Sequence, residues 1–171
     1  MSKVSKYAIF HQGLSVGEHT YEFVLDDRFF EDYGGEITRG RCDATVTLVK
    51  SANLLNMHTV ITGSVEVPCD RCLEGFDIPV DFDGALVVKF SSEREGYDVD
   101  RHTGFDDEIL WLSPDTDAID LSEYLYESIY LSLPMQRVHP EGECDPDMLA
   151  RFVQAPDDES DVYDDQEYNE E

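Results

Sequence analysis

A chain of 171 residues with 41% hydrophobic content is long enough to bury a sizeable core and short enough to be one domain. It carries 39 acidic and 12 basic residues, a net charge of −27, so its surface repels phosphate backbones and suits a basic protein partner better than nucleic acid. Four Cys over this length do not make a disulfide scaffold, and no stretch is apolar enough for a signal peptide or a membrane span. A soluble cytoplasmic protein is expected, in which a Cys-x-x-Cys turn points to metal or redox chemistry.

The charge is uneven. From Asp157 to Glu171 nine residues are acidic and none is basic, too polar a segment to bury anything, so it is expected to be a disordered tail on a single domain of residues 1–156. Without those nine, 30 acidic residues still face 12 basic ones, so the body is acidic as well.

In chain order, Tyr7–Phe10 is a short apolar run that suits an edge strand. Glu18–Leu25 alternates, with His19, Tyr21, Phe23 and Leu25 on one side. Asp26 can cap a short helix that carries Phe29 and Phe30 and stops at Gly34-Gly35. Three longer period-two segments follow, over Arg41–Lys50, Leu54–Val67 and Phe76–Phe90. In the last, Phe76, Ile78, Val80, Phe82, Leu86, Val88 and Phe90 share a face opposite Asp77, Asp81, Asp83 and Lys89. Such order predicts an antiparallel meander with one wet face. Pro79 calls for a free edge or a bulge, and Gly84 for a bend.

Ser91–Glu108 reads as an exposed acidic loop, and Ile109–Leu112 as a short apolar run. The main helix follows. Asp120 and Glu123 form a capping-box pattern, and Leu121, Tyr124, Leu125, Ser128, Ile129 and Ser132 fall on one face. Pro134 stops it, and Asp145-Pro146 begins a second, short helix with Met148, Leu149 and Phe152. The expected class is α+β: an antiparallel sheet, able to curl toward a barrel, packed on its apolar face by one main C-terminal helix.

Cys69 and Cys72 lie in the turn between two of the strands, and His139 and Cys144 lie just past the helix. Three thiols and one imidazole are a common ligand set for tetrahedral zinc, and four protein ligands leave no open position, which makes such a site structural. It would pin the C-terminal segment to the hairpin. Cys42, on an apolar strand face, is expected to be a buried small hydrophobe, and His11, His19, His58 and His102 are expected to be ordinary strand or loop residues. A thiol redox pair lacks a surrounding βαβ pattern, and phosphate-loop, dinucleotide, zinc-protease and nucleophile-elbow motifs are all missing, so no enzyme is expected.

Cys69-Asp70-Arg71-Cys72-Leu73-Glu74 resembles the Cys-x-Arg-Cys-Leu signature of the YceD family, the large ribosomal RNA subunit accumulation proteins. Ile119-Asp120-Leu121, the helix into Leu131-Ser132-Leu133-Pro134, and then His139 and Cys144 resemble its second signature, and the likeness runs from about Val16 to Phe152. The resemblance implies a non-enzymatic role in the accumulation or processing of large-subunit ribosomal RNA. It also implies an assembly partner, since genes of the family often lie beside that of a large-subunit ribosomal protein. It further implies that metal is not required by the fold in every member, because some carry other residues at the Cys positions. The acidic surface favours an indirect route, in which a basic ribosomal protein or processing factor is held and the RNA follows. The alternatives are direct RNA binding through Arg39-Gly40-Arg41 and Lys50, or a zinc-stapled interaction module unrelated to ribosomes.

Overall fold

A computed structural model describes residues 5–52, 54–90 and 108–153. Among these described residues seven strands and three helices follow in the order β1 (Ala8–Phe10), β2 (Gly17–Leu25), α1 (Asp27–Tyr33), β3 (Arg39–Lys50), β4 (Leu54–Pro68), β5 (Gly75–Phe90), β6 (Glu108–Leu112), β7 (Ala118–Asp120), α2 (Ser122–Ser132) and α3 (Pro146–Val153). Five strands form one sheet in the order β2-β3-β4-β5-β6. The expected acidic loop, apart from Glu108, and the expected disordered tail lie outside the described residues.

The first four strands of this sheet are the antiparallel meander that the alternation predicts, with Val46 opposite Thr59 and Ile61 opposite Phe82. Cys42, Ala44, Val46 and Leu48 of β3, Leu55, Met57, Ile61, Val65 and Val67 of β4, and Ile78, Val80, Leu86 and Val88 of β5 are buried in one cluster with Phe29 and Phe30 of α1 and Leu125 and Ile129 of α2. Burial of that apolar face is the main favourable term for the domain. Pro79 sits where its sequence signal places it. The strand beyond β5 pairs only with Leu86–Phe90, so the Pro79 stretch has no described neighbour on that side.

Two expectations are corrected. The sheet does not close into a barrel, because β2 and β6 are its ends and do not pair. Nor is it wholly antiparallel: β6, the Ile109–Leu112 run, lies parallel to β5. The Tyr7–Phe10 run does supply an edge strand, but in a second sheet. Ala8–Phe10 pairs with Ala118–Asp120 in a separate two-stranded sheet, and the Leu121 amide donates to the Tyr7 carbonyl. This tie sets the start of α2.

Helix ends follow local chemistry. The Asp26 carboxylate accepts from the Phe29 amide, and Gly34, at φ 74°, donates back to the Phe30 carbonyl. In α2 the cap position falls on Leu121, one residue later than expected. Asp120 belongs to β7, and its carboxylate accepts from the amide and hydroxyl of Ser122. In α3 the Asp145 carboxylate accepts from the Asp147 amide, as its position before Pro146 suggests.

Gly63 allows β3 and β4 to approach closely. A Cβ there would collide with the Arg41 carbonyl oxygen and lie 2.7 Å from Cys42 Cα, and its φ of 157° suits glycine. Gly63→Ala is expected to destabilise the protein by about 2 kcal/mol. Urea unfolding checks this; an unchanged midpoint would show that the two strands can separate there without loss.

Candidate metal centre

The hairpin between β4 and β5 is a six-residue turn, Cys69–Glu74. The Cys69 amide donates to the Glu74 carbonyl and the Leu73 amide to the Cys69 carbonyl, both at 2.9 Å. The Arg71 amide points at Cys69 Sγ, 3.4 Å away. Both sulfurs are thus held on the inner side of the turn, and Cys69 and Cys72 are buried. The geometry needs a left-handed residue after the second cysteine, and Leu73 takes it at φ 64°. Leucine is a strained choice there, by about 1–2 kcal/mol, and its side chain is 66% exposed.

The other two donors arrive from the segment after α2. The Asp70 amide donates to the Arg137 carbonyl and the Arg137 amide to Asp70 Oδ2, both at 2.7 Å, so one residue of each segment grips the other through paired hydrogen bonds. The Arg137 guanidinium is only 16% exposed; it reaches Glu36 Oε2 at 2.7 Å and lies 5.8 Å from the centroid of the Tyr130 ring. Tyr130 Oη donates to the same Glu36 carboxylate, and these two partners, Arg137 first, hold its pKa below the usual range. Past this clamp the His139 ring packs against Phe76, with centroids 4.5 Å apart. Gly142, at φ 88°, and a hydrogen bond from the Glu143 amide to the Pro140 carbonyl turn the chain back to Cys144.

The four donor atoms therefore converge. Cys69 Sγ lies 3.9 Å from Cys144 Sγ, and His139 Nδ1 lies 3.4 Å from Cys72 Sγ and 3.8 Å from Cys144 Sγ. All four lie within 4.8 Å of one another. A tetrahedron with Zn–S of about 2.3 Å and Zn–N of about 2.0 Å has edges of about 3.8 Å between sulfurs and about 3.5 Å between sulfur and nitrogen. The cluster is compatible with a zinc ion in size and in chemistry.

Its electrostatics suit the same role. Burial pushes the Cys69 thiol up, but the amides of Cys72, Arg71 and His139 and the His139 side chain outweigh it and bring the pKa to about 6. Thiolate is the ligating form. Burial, together with the neighbouring Cys69 and Cys72, pushes Cys144 up to about 11. Three thiols side by side do not all ionise readily without a cation among them. Cys42 lies apart from the cluster, buried in the core, where burial and Asp43 raise it to about 11. It is the small hydrophobe its strand position predicts.

The remaining sequence candidates are dispersed. His11 Nε2 contacts the Thr116 carbonyl, His19 Nε2 the Ser15 carbonyl, and His58 Nε2 lies 2.7 Å from Asp83 Oδ1; His102 lies outside the described residues. The basic cluster is largely engaged. Arg39 pairs with Glu66, and Lys50 Nζ donates to the carbonyls of His11 and Leu14 at 2.8 Å; Arg41 is exposed. The residues that sequence reasoning missed are the supports: Glu36, Tyr130, and the Asp70–Arg137 pair as a clamp. Asp70 and Arg137 flank the ligands in sequence, which was a signal. Nothing marked Glu36, which reaches the site only through the fold.

Among the described residues no helix is long and apolar enough to cross a membrane. A family model described as large ribosomal RNA subunit accumulation protein YceD matches residues 57–170, a span that contains both halves of the cluster. Neither the curated proteins nor the solved structures gave a match.

The strain at Leu73 gives a prediction of definite sign. Leu73→Gly relieves the left-handed penalty at the cost of backbone entropy, for a net stabilisation of about 0.5–1 kcal/mol. Thermal unfolding of the two proteins side by side measures it; a lower midpoint for the glycine variant would mean that the leucine side chain contributes more than its backbone costs.

Proposed function

The chain belongs to the YceD family, and on that footing we propose that it is a non-enzymatic cytoplasmic factor that supports the processing or stability of large-subunit ribosomal RNA by holding a basic ribosomal protein or processing factor. The family match over residues 57–170 carries the ribosomal part of this reading. The protein-mediated route is supported by charge. A surface at −27 disfavours the phosphate neutralisation on which RNA affinity mostly rests, and of Arg39, Arg41 and Lys50, the cations that a direct RNA site would need, Arg39 and Lys50 are already engaged by Glu66 and by backbone carbonyls, which leaves the exposed Arg41.

Within that role, Cys69, Cys72, His139 and Cys144 hold one structural zinc. Four protein donors leave no position for a water or a substrate, so the ion staples the β4–β5 hairpin to the segment after α2 and does no chemistry of its own. A lowered Cys69 pKa also fits thiol redox work. The third thiol and the imidazole at tetrahedral spacing favour the metal.

Depletion in a cell that makes this protein is expected to lower the ratio of large- to small-subunit ribosomal RNA; an unchanged ratio would refute the ribosomal reading. Protein purified without chelator is expected to contain close to one zinc per chain. Cys72→Ser is expected to lose it and to melt on the order of 10 °C lower, whereas Cys42→Ser keeps it. Equal zinc in wild type and Cys72→Ser would place the metal elsewhere. Since proton and zinc compete for the same sulfurs, zinc is expected to leave as the pH is lowered, not as it is raised.

A further inference from the structure

One surface of the molecule adjoins the supports of the candidate metal centre and shares Tyr130 with them. Tyr33 ends α1, and Tyr126 and Tyr130 stand one turn apart on α2. Their rings lie nearly parallel in a row: Tyr33 and Tyr126 have centroids 3.8 Å apart at 15°, and Tyr126 and Tyr130 are 6.4 Å apart at 13°. Tyr126 is buried, but Tyr33 and Tyr130 are 40% and 39% exposed, and the adjoining Leu131 is 79% exposed. These residues and Glu127 line a shallow cleft of about 440 Å³.

The two ends of the row differ. At the Tyr130 end the protein supplies its own cation: the Arg137 guanidinium lies over the ring and pairs with Glu36, which also accepts from Tyr130. At the Tyr33 end the ring and the carboxylates are present without the guanidinium. Glu123 and Glu127 are exposed one turn apart on α2, close enough to raise the Tyr33 phenol above its ordinary value, after burial. Among the described residues no Lys or Arg lines this cleft. Arg28 belongs to the adjoining cleft beside Tyr33, where it pairs with Asp32.

We propose that the Tyr33–Tyr126–Tyr130 row, with Glu123 and Glu127 on its rim, is the docking site for an arginine-bearing segment of a basic protein partner. The argument rests on charge complementarity and on the internal example of Arg137. A planar guanidinium can stack on a tyrosine face and pair with a carboxylate at its edge, which an ammonium does less well. Stacked aromatics can also hold nucleic-acid bases, but such sites line their grooves with cations, and this one is rimmed with carboxylates. The proposal deepens the protein-mediated reading above and depends on it for its biological setting; the binding itself can be tested without it.

The test uses the full chain and a synthetic twelve-residue peptide of alternating Arg and Gly, titrated by fluorescence anisotropy at about 0.15 M salt to screen distant charges. Glu123→Gln with Glu127→Gln, and separately Tyr33→Leu, are each expected to weaken binding by about threefold or more, and Tyr33→Trp to keep or improve it. The control, Glu18→Gln with Glu22→Gln on the exposed face of β2, removes the same charge and is expected to change affinity by less than about twofold. Circular dichroism verifies that each variant is folded. No binding by wild type, an equal loss in the control, or a Tyr33→Leu protein that binds as wild type would each overturn the site. So would an oligouridylate that bound at the row and lost affinity on Tyr33→Leu. The outcome is independent of the depletion experiment: an unchanged ribosomal RNA ratio sinks the ribosomal reading and leaves the titration to decide the site.

Discussion

The Cys69–Glu74 turn and the segment after α2 must stay in register with each other, and the rest of the molecule serves that constraint. Two features of the structure bear on it. The Asp70–Arg137 hydrogen-bond pair is made by the polypeptide alone, and the convergence of three sulfurs and one imidazole is compatible with a metal ion. The order of cause runs from the backbone outward. The sheet fixes the turn, the β1–β7 pair fixes the start of α2, Pro134 ends it, and the clamp at Arg137 presents His139 and Cys144 to sulfurs that are already aimed.

How far the sequence could be read depended on whether a feature was local. Alternation marked β2 to β5 because each strand has one buried and one wet face, and Asp26, Gly34 and Asp145 marked helix ends because capping is decided within a few residues. The four residues of the cluster were legible from residue type and spacing, and the fold brings them together. Other features depend on distant partners. A parallel β6 looks like any short apolar run until the strand beside it is known. Asp120 and Glu123 form a good capping box, yet pairing of β7 with β1 claimed Asp120 for a strand. Leu73 gave no hint of a positive φ, since that signal is normally Gly, Asn or Asp. Glu36 and the tyrosine row required helices far apart in sequence to be placed side by side.

The acidic character of the chain takes on a more specific meaning in three dimensions. Arg39 and Arg137 are neutralised by Glu66 and Glu36, and Lys50 is spent on carbonyls, while many carboxylates on the outer face of the sheet and on α2 face water. Three of its few cations are thus engaged within the fold, while these anions face outward. That pattern fits a factor that gathers a basic protein during subunit assembly, and Arg137 against Tyr130 and Glu36 shows on a small scale how an arginine is received.

Zinc-edge X-ray absorption on protein purified without chelator would test the central constraint most directly. A first shell of three sulfurs at about 2.3 Å and one nitrogen at about 2.0 Å is the predicted result. A shell of two sulfurs completed by oxygen, or no zinc at the edge at all, would contradict it: the hairpin and the C-terminal segment would then be joined by the clamp alone.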